Sequence, residues 1–555
     1  MNLAITLAAF ILLPTLFYLV AIIYSKTNKE VKAASMAEWG QMISLSSILI
    51  SISALGFVIT KESFQSEVLL YKELGISFHF DEVSLIMLSM ISIISWVILK
   101  YSKNYLSGDP RQALFFARLM GVIASVQLLV LAGNLFLLVL AWIATSFSLH
   151  YLLIFYKDRP RAIIAARKKF IVARVADGCL LAAAVLLYLD FNTGELNSIF
   201  SQVQNGATTN LEIPAVLIAI AAIFKSAQLP FHSWLLEVME TPTPVSALLH
   251  AGLLNAGPFL LVRLSYLVNE SLWAPVLLIS IGGLTALFAS IVYTTQNSVK
   301  TALAYSSMGH MGFSLMSCGL GVYSAAMLHL VAHSFYKAHA FLSSGSVIDK
   351  LNESQYKLSQ KVGSPVKILL GILLAASLYA ITAYLWNVKV LEQLPLFALG
   401  FIITMGSAHM IIAMISRKNA LSLVMAAIGL AFLVNVSFFT LEGWMHQLLE
   451  NATPTIGSLN GLSLIVTAGV LAVFLTVFII QANAPFMKNT EAYQRLHIHM
   501  RNGLYLNTWF DKLVKAHQIK SKATSTLEYI EMSEVKGHTS HKQEYTKTDN
   551  LISIK

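Results

Sequence analysis

Lysines and histidines inside long apolar segments are the residues of greatest chemical interest in this sequence. Lys225 and His250 each stand in such a segment, and His329, His333 and Lys337 follow one another at intervals of four residues. Residues four apart lie on one face of a helix, so the last three predict a stripe of titratable groups. An ionisable group at the centre of a membrane helix costs about 3 kcal/mol or more and is a functional candidate by default. Together these residues predict a path for protons through a bilayer.

Prolines interrupt the segments that carry Lys225 and His250. Pro230 follows the lysine, and Pro258 follows the histidine. A proline disrupts the helix around it, and a broken membrane helix is tolerated where its freed backbone groups line a cavity or meet protein. The alternatives are a lysine that snorkels to the interface or forms a structural ion pair, and a histidine that is hydrogen-bonded in the core. Arg263 closes the second segment and is expected to anchor the membrane interface.

Further charged residues are candidates for the same path. Arg174 and Asp177 are three residues apart and predict an ion pair within one helix. Asp177 is also a candidate counter-charge for Lys225. Two other candidates for that role are Glu237 and Glu240. Lys300 opens a later predicted helix, and we expect it to line the same aqueous axis.

No motif in the sequence predicts a bound cofactor. The two cysteines, Cys179 and Cys318, both lie in apolar runs and are too few for an iron–sulfur cluster or a cysteine zinc site. Histidines four residues apart can bind zinc, so His329 and His333 alternatively form a metal site, but their stripe holds no carboxylate as a further ligand. We expect no metal, no cofactor and no catalytic centre in this chain.

The composition places these residues in a lipid-solvated chain. Of the 555 residues, 56% are apolar and 12% are charged, about half the charged fraction of a soluble domain. The net charge of +10 is also typical of nucleic-acid-binding proteins. However, the basic residues lie in short loops between apolar segments, as the positive-inside rule describes. We therefore expect membrane lipid as the surroundings and no nucleic acid as a partner.

Apolar runs divide the chain into about 15 candidate membrane helices, since a helix needs about 20 apolar residues to cross the hydrocarbon layer. Runs of this length exclude a β-barrel, whose strands are about 10 residues long. The expected fold is an all-α polytopic membrane protein. The predicted spans are 3–24, 41–60, 82–100, 112–132, 134–156, 170–190, 213–229, 242–267, 271–293, 301–321, 323–346, 367–386, 393–415, 419–440 and 459–481.

Loop charges predict the orientation of these spans. Lysine and arginine cluster after odd-numbered spans, for example in the loop over 157–169, and are rare after even-numbered ones. This alternation predicts an outer N-terminus and a cytoplasmic C-terminus in the cell inner membrane. Residues 491–517 mix aromatic and charged side chains, which is typical of an amphipathic surface helix. From about residue 519 the polar composition predicts disorder.

Four stretches of the sequence resemble the antiporter-like subunits of respiratory complex I and of Mrp cation/proton antiporters. These stretches are 225–235, 240–251, 300–307 and the row from His329 to Lys337. The resemblance covers roughly residues 80–350. It implies two inverted five-helix repeats, each with a broken helix. It also implies that Lys225 is the channel lysine of the first half, and that the histidines and Lys337 lie on a central polar axis.

The sequence departs from that family at two charged positions. Ile143 stands where the family has a glutamate paired with the channel lysine, and His150 is a possible substitute near the same face. The family's later lysine or acid is also missing. In the last four predicted spans His409 is the only ionisable residue that we expect within the membrane.

Four other stretches resemble the DabB family, the membrane subunits of two-component inorganic-carbon accumulation systems. They are 79–87, 101–112, 250–258 and 501–505. The resemblance implies a heterodimer with a DabA-like zinc protein similar to β-carbonic anhydrases. In such a complex, H+ or Na+ flow through this subunit would drive one-way hydration of CO2 to bicarbonate.

Three other functions remain open at this point. They are a subunit of the NuoL type in an NADH:quinone oxidoreductase, a subunit of a Mrp-type Na+/H+ antiporter, and a structural scaffold with a vestigial channel. The predicted organisation is the same for all of them. It consists of N-terminal helices over 1–111, a proton-translocating core over 112–350, C-terminal helices over 351–482, and a cytoplasmic segment over 483–555.

Overall fold

Long helices follow one another along nearly the whole described chain. The computed structural model describes residues 3–27, 33–61, 63–68, 75–156, 159–206, 210–345, 364–388, 393–416, 421–457, 459–487 and 489–514. Within these ranges, 12 helices are long and apolar enough to cross a membrane. Three more helices account for the remaining predicted spans. The prediction of an all-α polytopic membrane protein with about 15 spans is confirmed; the two inverted repeats stay a prediction.

The N-terminal part contains six long helices and one small hairpin. Side-chain caps define two of the helix starts, because Asp81 accepts a hydrogen bond from the Ser84 amide and Asn134 accepts one from the Leu137 amide, both at 2.9 Å. The elements are α1 (Leu3–Thr27), α2 (Ala33–Thr60), β1 (Phe64–Gln65), β2 (His79–Phe80), α3 (Glu82–Tyr105), α4 (Gln112–Val130), α5 (Leu135–Leu153) and α6 (Pro160–Phe191). The strands β1 and β2 pair antiparallel.

The middle of the chain is broken into short helices. The first break follows Lys225, ahead of Pro230 as predicted. The second lies at Gly252, and Pro258 itself stands in the helix that follows. Across this second interruption, Thr243–Arg263 still counts as one apolar span. The elements are α7 (Leu196–Gln204), α8 (Glu212–Lys225), α9 (Ser233–Glu237), a 3-10 turn (Val238–Glu240), α10 (Thr243–Ala251), a 3-10 turn (Leu253–Asn255), α11 (Ala256–Arg263) and α12 (Ser265–Asn269).

Three helices after the break pack closely against it. They are α13 (Trp273–Tyr293), α14 (Val299–Gly319) and α15 (Tyr323–Leu342). Gly282 of α13 faces Gly312 of α14, and a Cβ at Gly282 would lie 2.6 Å from the Gly312 carbonyl oxygen. Small residues at such a crossing let two membrane helices approach backbone to backbone. This crossing holds α14 close to α13 and presents the opposite face of α14 to α15.

The C-terminal part adds four spanning helices and two short ones. They are α16 (Pro365–Leu385), α17 (Leu394–Ile415), α18 (Leu421–Leu448), α19 (Gly461–Met487), α20 (Glu491–Arg501) and α21 (Leu506–Leu513). The last two fall in the segment with the predicted surface helix, and the predicted disorder from residue 519 lies outside the described residues. Unlike α20, which has no buried residue, α21 buries Phe510 against the core.

Candidate ion-conducting site

Lys225 is the last residue of α8, and its amine is buried against α5. Its Nζ donates hydrogen bonds to the Trp142 carbonyl oxygen at 3.1 Å, to Thr145 Oγ1 at 2.9 Å and to Ser146 Oγ at 2.8 Å. The same nitrogen lies 4.2 Å from the centre of the Trp142 ring. An ammonium has three donors, so neutral acceptors satisfy all of them. The pocket therefore holds the Lys225 ammonium with neutral oxygens, and Ile143 stands at the position where the resembling family has a glutamate.

A second helix, α6, supplies the charges around Lys225. Asp177 forms an ion pair with Arg174, as predicted, and its charge also acts on the Lys225 amine. Lys169 is buried on the same helix and donates to the Ser146 carbonyl oxygen at 2.8 Å. Ser146 therefore lies between two buried amines, accepting from Lys169 through its backbone and from Lys225 through its side chain.

Counting Lys168 and Lys169 as loop cations was wrong. The predicted span began at residue 170, whereas α6 begins at Pro160. Both lysines are buried in the helix, with exposed fractions of 0% and 4%. The apolar residues that precede them are the sequence signal for a longer helix. A lysine that finds partners inside the protein does not end a helix, although it ends an apolar run.

His150 lies one helical turn beyond Ser146 on α5. Its ring centre is 5.2 Å from that of Phe170 of α6, and the charges of Lys169 and Arg174 act on it. Its described contacts are therefore with α6. The possibility that His150 replaces the family glutamate stays a prediction, and Asp177 is the carboxylate whose charge reaches Lys225.

The predicted stripe on α15 meets a further histidine on α14. His310 Nδ1 lies 3.2 Å from His329 Nε2, and the ring centres of His310 and His333 are 4.9 Å apart. His329 and His333 stack with their ring centres 6.0 Å apart. Lys337 continues this row, and its Nζ donates to the Leu303 carbonyl oxygen at 3.3 Å. We call His310, His329, His333 and Lys337 the histidine row.

The sequence interpretation missed His310. A single histidine in the apolar run of α14 gives no periodic signal, and only packing brings it beside α15. Neighbouring imidazoles can pass a proton because each ring has one nitrogen that donates and one that accepts in its neutral form. The spacing within the row is short enough for such exchange, directly or through a water molecule.

His250 of α10 lies beside the histidine row. Its ring stacks on Phe341 of α15 with the centres 4.3 Å apart, and the charge of Lys337 acts on it. Both ring nitrogens of His250 and of His333 are buried without a hydrogen-bond partner among the described residues. Asn255 joins the same helices, because its Nδ2 donates to Ser334 Oγ at 2.6 Å.

The end of α8 contacts the segment that follows the His250 helix. Ser226, next to Lys225, donates to the Leu254 carbonyl oxygen at 3.4 Å. Gly257 permits this approach, since a Cβ there would lie 2.6 Å from the Ala222 carbonyl oxygen. Buried groups thus continue from α8 to α15 through the two breaks. Lys300 lies apart from them at the start of α14, where it donates to Thr243 Oγ1 at 3.3 Å.

A cavity of about 750 Å³ reaches the histidine row from the side of the C-terminal helices. His310 and His329 form part of its wall, and most of the remaining wall is apolar, for example Leu328, Phe438 and Leu441. The cavity is much larger than one water molecule, and His310 and His329 are the two imidazoles in its wall.

Two family models match this chain. The model described as NADH:quinone oxidoreductase/Mrp antiporter, TM, matches residues 132–381, and the one for the N-terminus of complex I chain 5 matches residues 71–116. The probable inorganic carbon transporter subunit DabB2 of Halothiobacillus neapolitanus is 38% identical over 443 residues, which are 79% of this chain and 80% of that protein. The chain belongs to the DabB branch of the complex I and Mrp antiporter-like family.

Other relatives place the DabB branch within the wider family. The probable transporter subunit DabB of Hydrogenovibrio crunogenus is 43% identical over 52% of this chain and 56% of its own length. NADH-ubiquinone oxidoreductase chain 5 of Phoca vitulina is 31% identical over 71% of this chain and 63% of that protein.

Two solved structures share the fold. The Mrp complex from Dietzia matches with a TM-score of 0.57 at 21% identity, over 89% of this chain and 59% of that one. The membrane-bound sulfane sulfur reductase, an archaeal respiratory membrane complex, matches with a TM-score of 0.55 at 16% identity, over 91% and 99%. At these identities the likeness concerns the fold alone.

One acid in the C-terminal helices of this DabB-family chain was missed. The span predicted over 419–440 ended too early, because α18 continues to Leu448 and carries Glu442. Glu442 is 6% exposed and accepts a hydrogen bond from Ser324 Oγ at 2.7 Å. The expectation that His409 is the only ionisable residue there is therefore wrong. Ser324 is the second residue of α15, which carries the row from His329 onward, so Glu442 lies beyond the His329 end of that row.

Arg263 is not the interfacial anchor that we expected. It is 4% exposed and donates to both carboxylate oxygens of Asp81, at 2.7 and 2.9 Å. Burial alone would raise the pKa of the Asp81 carboxyl, but the Arg263 guanidinium beside it holds that pKa well below its usual range. The ion pair therefore persists as the pH falls through the range in which free carboxylates take up protons. It fastens α11 to the start of α3.

Proposed function

We propose that this chain is the proton-conducting membrane subunit of an inorganic-carbon uptake system. The observation that carries the proposal is the set of buried and half-buried titratable groups formed by Lys225, His250 and the histidine row, with Ser226 and Leu254 joining the segment of Lys225 to the segment that follows His250. A buried charged group is costly in a membrane and is found where an ion is handled. The names of the relatives support inorganic carbon as the cargo of the system.

In this proposal, protons enter along the histidine row and reach Lys225 through His250. The membrane potential supplies about 2.3 kcal/mol per charge for each 100 mV. Lys225 holds a proton with the help of Asp177 and three neutral acceptors. When it gives up the proton, it loses its charge and one of its three hydrogen bonds to α5, and the break after α8 is held less firmly. Sodium is the alternative ion.

The partner that we propose is a DabA-like zinc protein that hydrates CO2 to bicarbonate. Movement of the break would then gate the partner's site, so that hydration runs one way. The chain itself holds no part of that chemistry in this proposal. The proposed setting is the cell inner membrane, with the C-terminus in the cytoplasm.

Carbon-dependent growth tests the proposal. The chain and its genomic partner are expressed in a bacterial strain that grows only when it accumulates bicarbonate, and bicarbonate is measured with labelled carbon. Lys337→Met is expected to abolish accumulation while the complex still assembles, and Lys61→Met, at an exposed loop position, is expected to behave as wild type. Normal accumulation by Lys337→Met would refute proton conduction through the row.

Purification under gentle conditions distinguishes the alternative function, which is an antiporter-like subunit of an NADH:quinone oxidoreductase. The relatives of that type favour it. A single large zinc protein that copurifies with the tagged chain supports the carbon system. Iron–sulfur and flavin subunits would support the oxidoreductase, and several small hydrophobic subunits would support a Mrp-type antiporter.

A further inference from the structure

The short helix α21, close to the end of the described chain, packs on the break that follows Lys225. Phe510 of α21 is 1% exposed, and its ring centre lies 5.9 Å from that of Phe231 in the break. Phe231 in turn stacks on Phe224, the neighbour of Lys225 in sequence, with their centres 4.8 Å apart. An unbroken series of aromatic contacts therefore joins α21 to the end of α8.

A buried amine, that of Lys168, also joins α21 to this region. Lys168 of α6 has no exposed side-chain surface and pairs with two carboxylates, Glu237 of α9 at 2.6 Å and Asp511 of α21. A fully buried ammonium needs partners for its charge, and removal of one partner from such a pair is strongly destabilising. The three helices are thereby held together at one point, which we call the Lys168 cluster.

The helix that provides Lys168 also provides the charges that face Lys225. Lys169, Arg174 and Asp177 all lie on α6. The residues between α8 and α9 form no helix, and Ala227 among them adopts a positive φ of 52°. A segment without the regular hydrogen bonds of a helix opens more readily than a helix does. Any change of shape there must be accommodated by α21. Phe231 packs against Phe510 of α21, and Glu237 shares the Lys168 amine with Asp511.

We propose that α21 is a latch that positions the break beside Lys225, so that the tail and the ion site change state together. This deepens the proposed function, since it rests on Lys225 carrying the ion. Trp509, Lys512 and Leu513 of α21 are exposed, so Phe510 and Asp511 carry the contacts of α21 with the break and with the Lys168 cluster. Coupling between two sites acts in both directions. A change at Lys225 is therefore expected to alter the stability of α21, just as a change in α21 is expected to alter the break.

Amide hydrogen exchange of the purified full-length chain in lipid nanodiscs tests both directions of this coupling. Phe510→Ala and Asp511→Asn are expected to speed exchange in residues 226–240 by about tenfold. Lys512→Gln, at the adjacent exposed position, is the matched control and is expected to leave exchange there unchanged. In the reverse direction, Lys225→Met is expected to change exchange in residues 506–513.

A conservative substitution at Asp511 distinguishes a positioning role of its carboxylate from a general loss of structure. Asp511→Glu keeps the carboxylate and is expected to restore slow exchange in residues 226–240. Wild-type exchange of that segment in Phe510→Ala and Asp511→Asn, or wild-type exchange of α21 in Lys225→Met, overturns the latch. The measurement needs no carbon substrate and no partner, so failure of the carbon-uptake proposal leaves its outcome unaffected.

Discussion

The pocket of Lys225 and the histidine row are both buried sets of titratable groups, but they are built differently. Lys225 gives its three hydrogen bonds to acceptors on one helix, α5, and none of these acceptors carries a charge. In the row, His310 and His329 bond to each other, and His333 lies among rings with both nitrogens unpaired by the described residues.

This difference indicates different tasks for the two regions. A lysine with fully satisfied donors holds one proton in one place, and releasing the proton costs it its charge and one of three hydrogen bonds. A row of imidazoles whose hydrogen bonds are incomplete passes protons from ring to ring with small rearrangements. We therefore infer that Lys225 is the gated step and that the row is the conductor that supplies it.

The largest expected effect follows from changing the lysine itself. Lys225→Arg keeps the positive charge but cannot give up its proton, and Lys225→Met removes the charge. Both are expected to lower proton uptake, measured with a pH-sensitive dye in proteoliposomes, by at least about 100-fold. Lys61→Met is the control. Uptake by Lys225→Arg near the wild-type rate would show that the lysine does not release a proton.

An interruption of the row is expected to have the next largest effect. His310→Phe retains a ring of similar shape but removes the bond to His329, and we expect proton uptake to fall by about tenfold. His339→Phe is the matched control, because His339 lies on α15 with an exposed side chain. Equal uptake in His310→Phe and wild type would remove His310 from the path.

Loss of the counter-charge is expected to have a smaller effect. Asp177→Asn removes the carboxylate that acts on Lys225 but leaves the three hydrogen bonds of the lysine in place, so uptake should fall by about fivefold. Asp190→Asn, at an exposed position of the same helix, provides the comparison. A loss as large as that of Lys225→Met would mean that the hydrogen bonds to α5 contribute little.

The smallest expected effect concerns the acid at the end of the row. Glu442→Gln keeps the oxygen that accepts from Ser324 and removes only the charge, and we expect uptake to fall by about twofold. The exposed Glu450→Gln serves as control. If Glu442→Gln abolished uptake, the acid would be an obligatory proton carrier and the row would extend to α18.

Apolar run length and helical spacing were enough to predict most of the fold. In lipid every backbone polar group must be satisfied within its own segment, so a long apolar run is a helix whatever its neighbours are. The stripe of His329, His333 and Lys337 could be predicted for a similar reason, because three residues on one helix share a face by spacing alone. The break ahead of Pro230 is equally local, whereas the second break lies at Gly252 and not at Pro258, which stands inside α11.

Only the tertiary structure decided which groups from different helices meet. The sequence of one helix does not say that Thr145 and Ser146 receive Lys225, or that His310 joins the row, because these contacts depend on where two helices cross. Lys169 and Glu442 were missed for a related reason. A charged residue ends an apolar run, but the helix continues through it when another helix supplies a partner that compensates its burial.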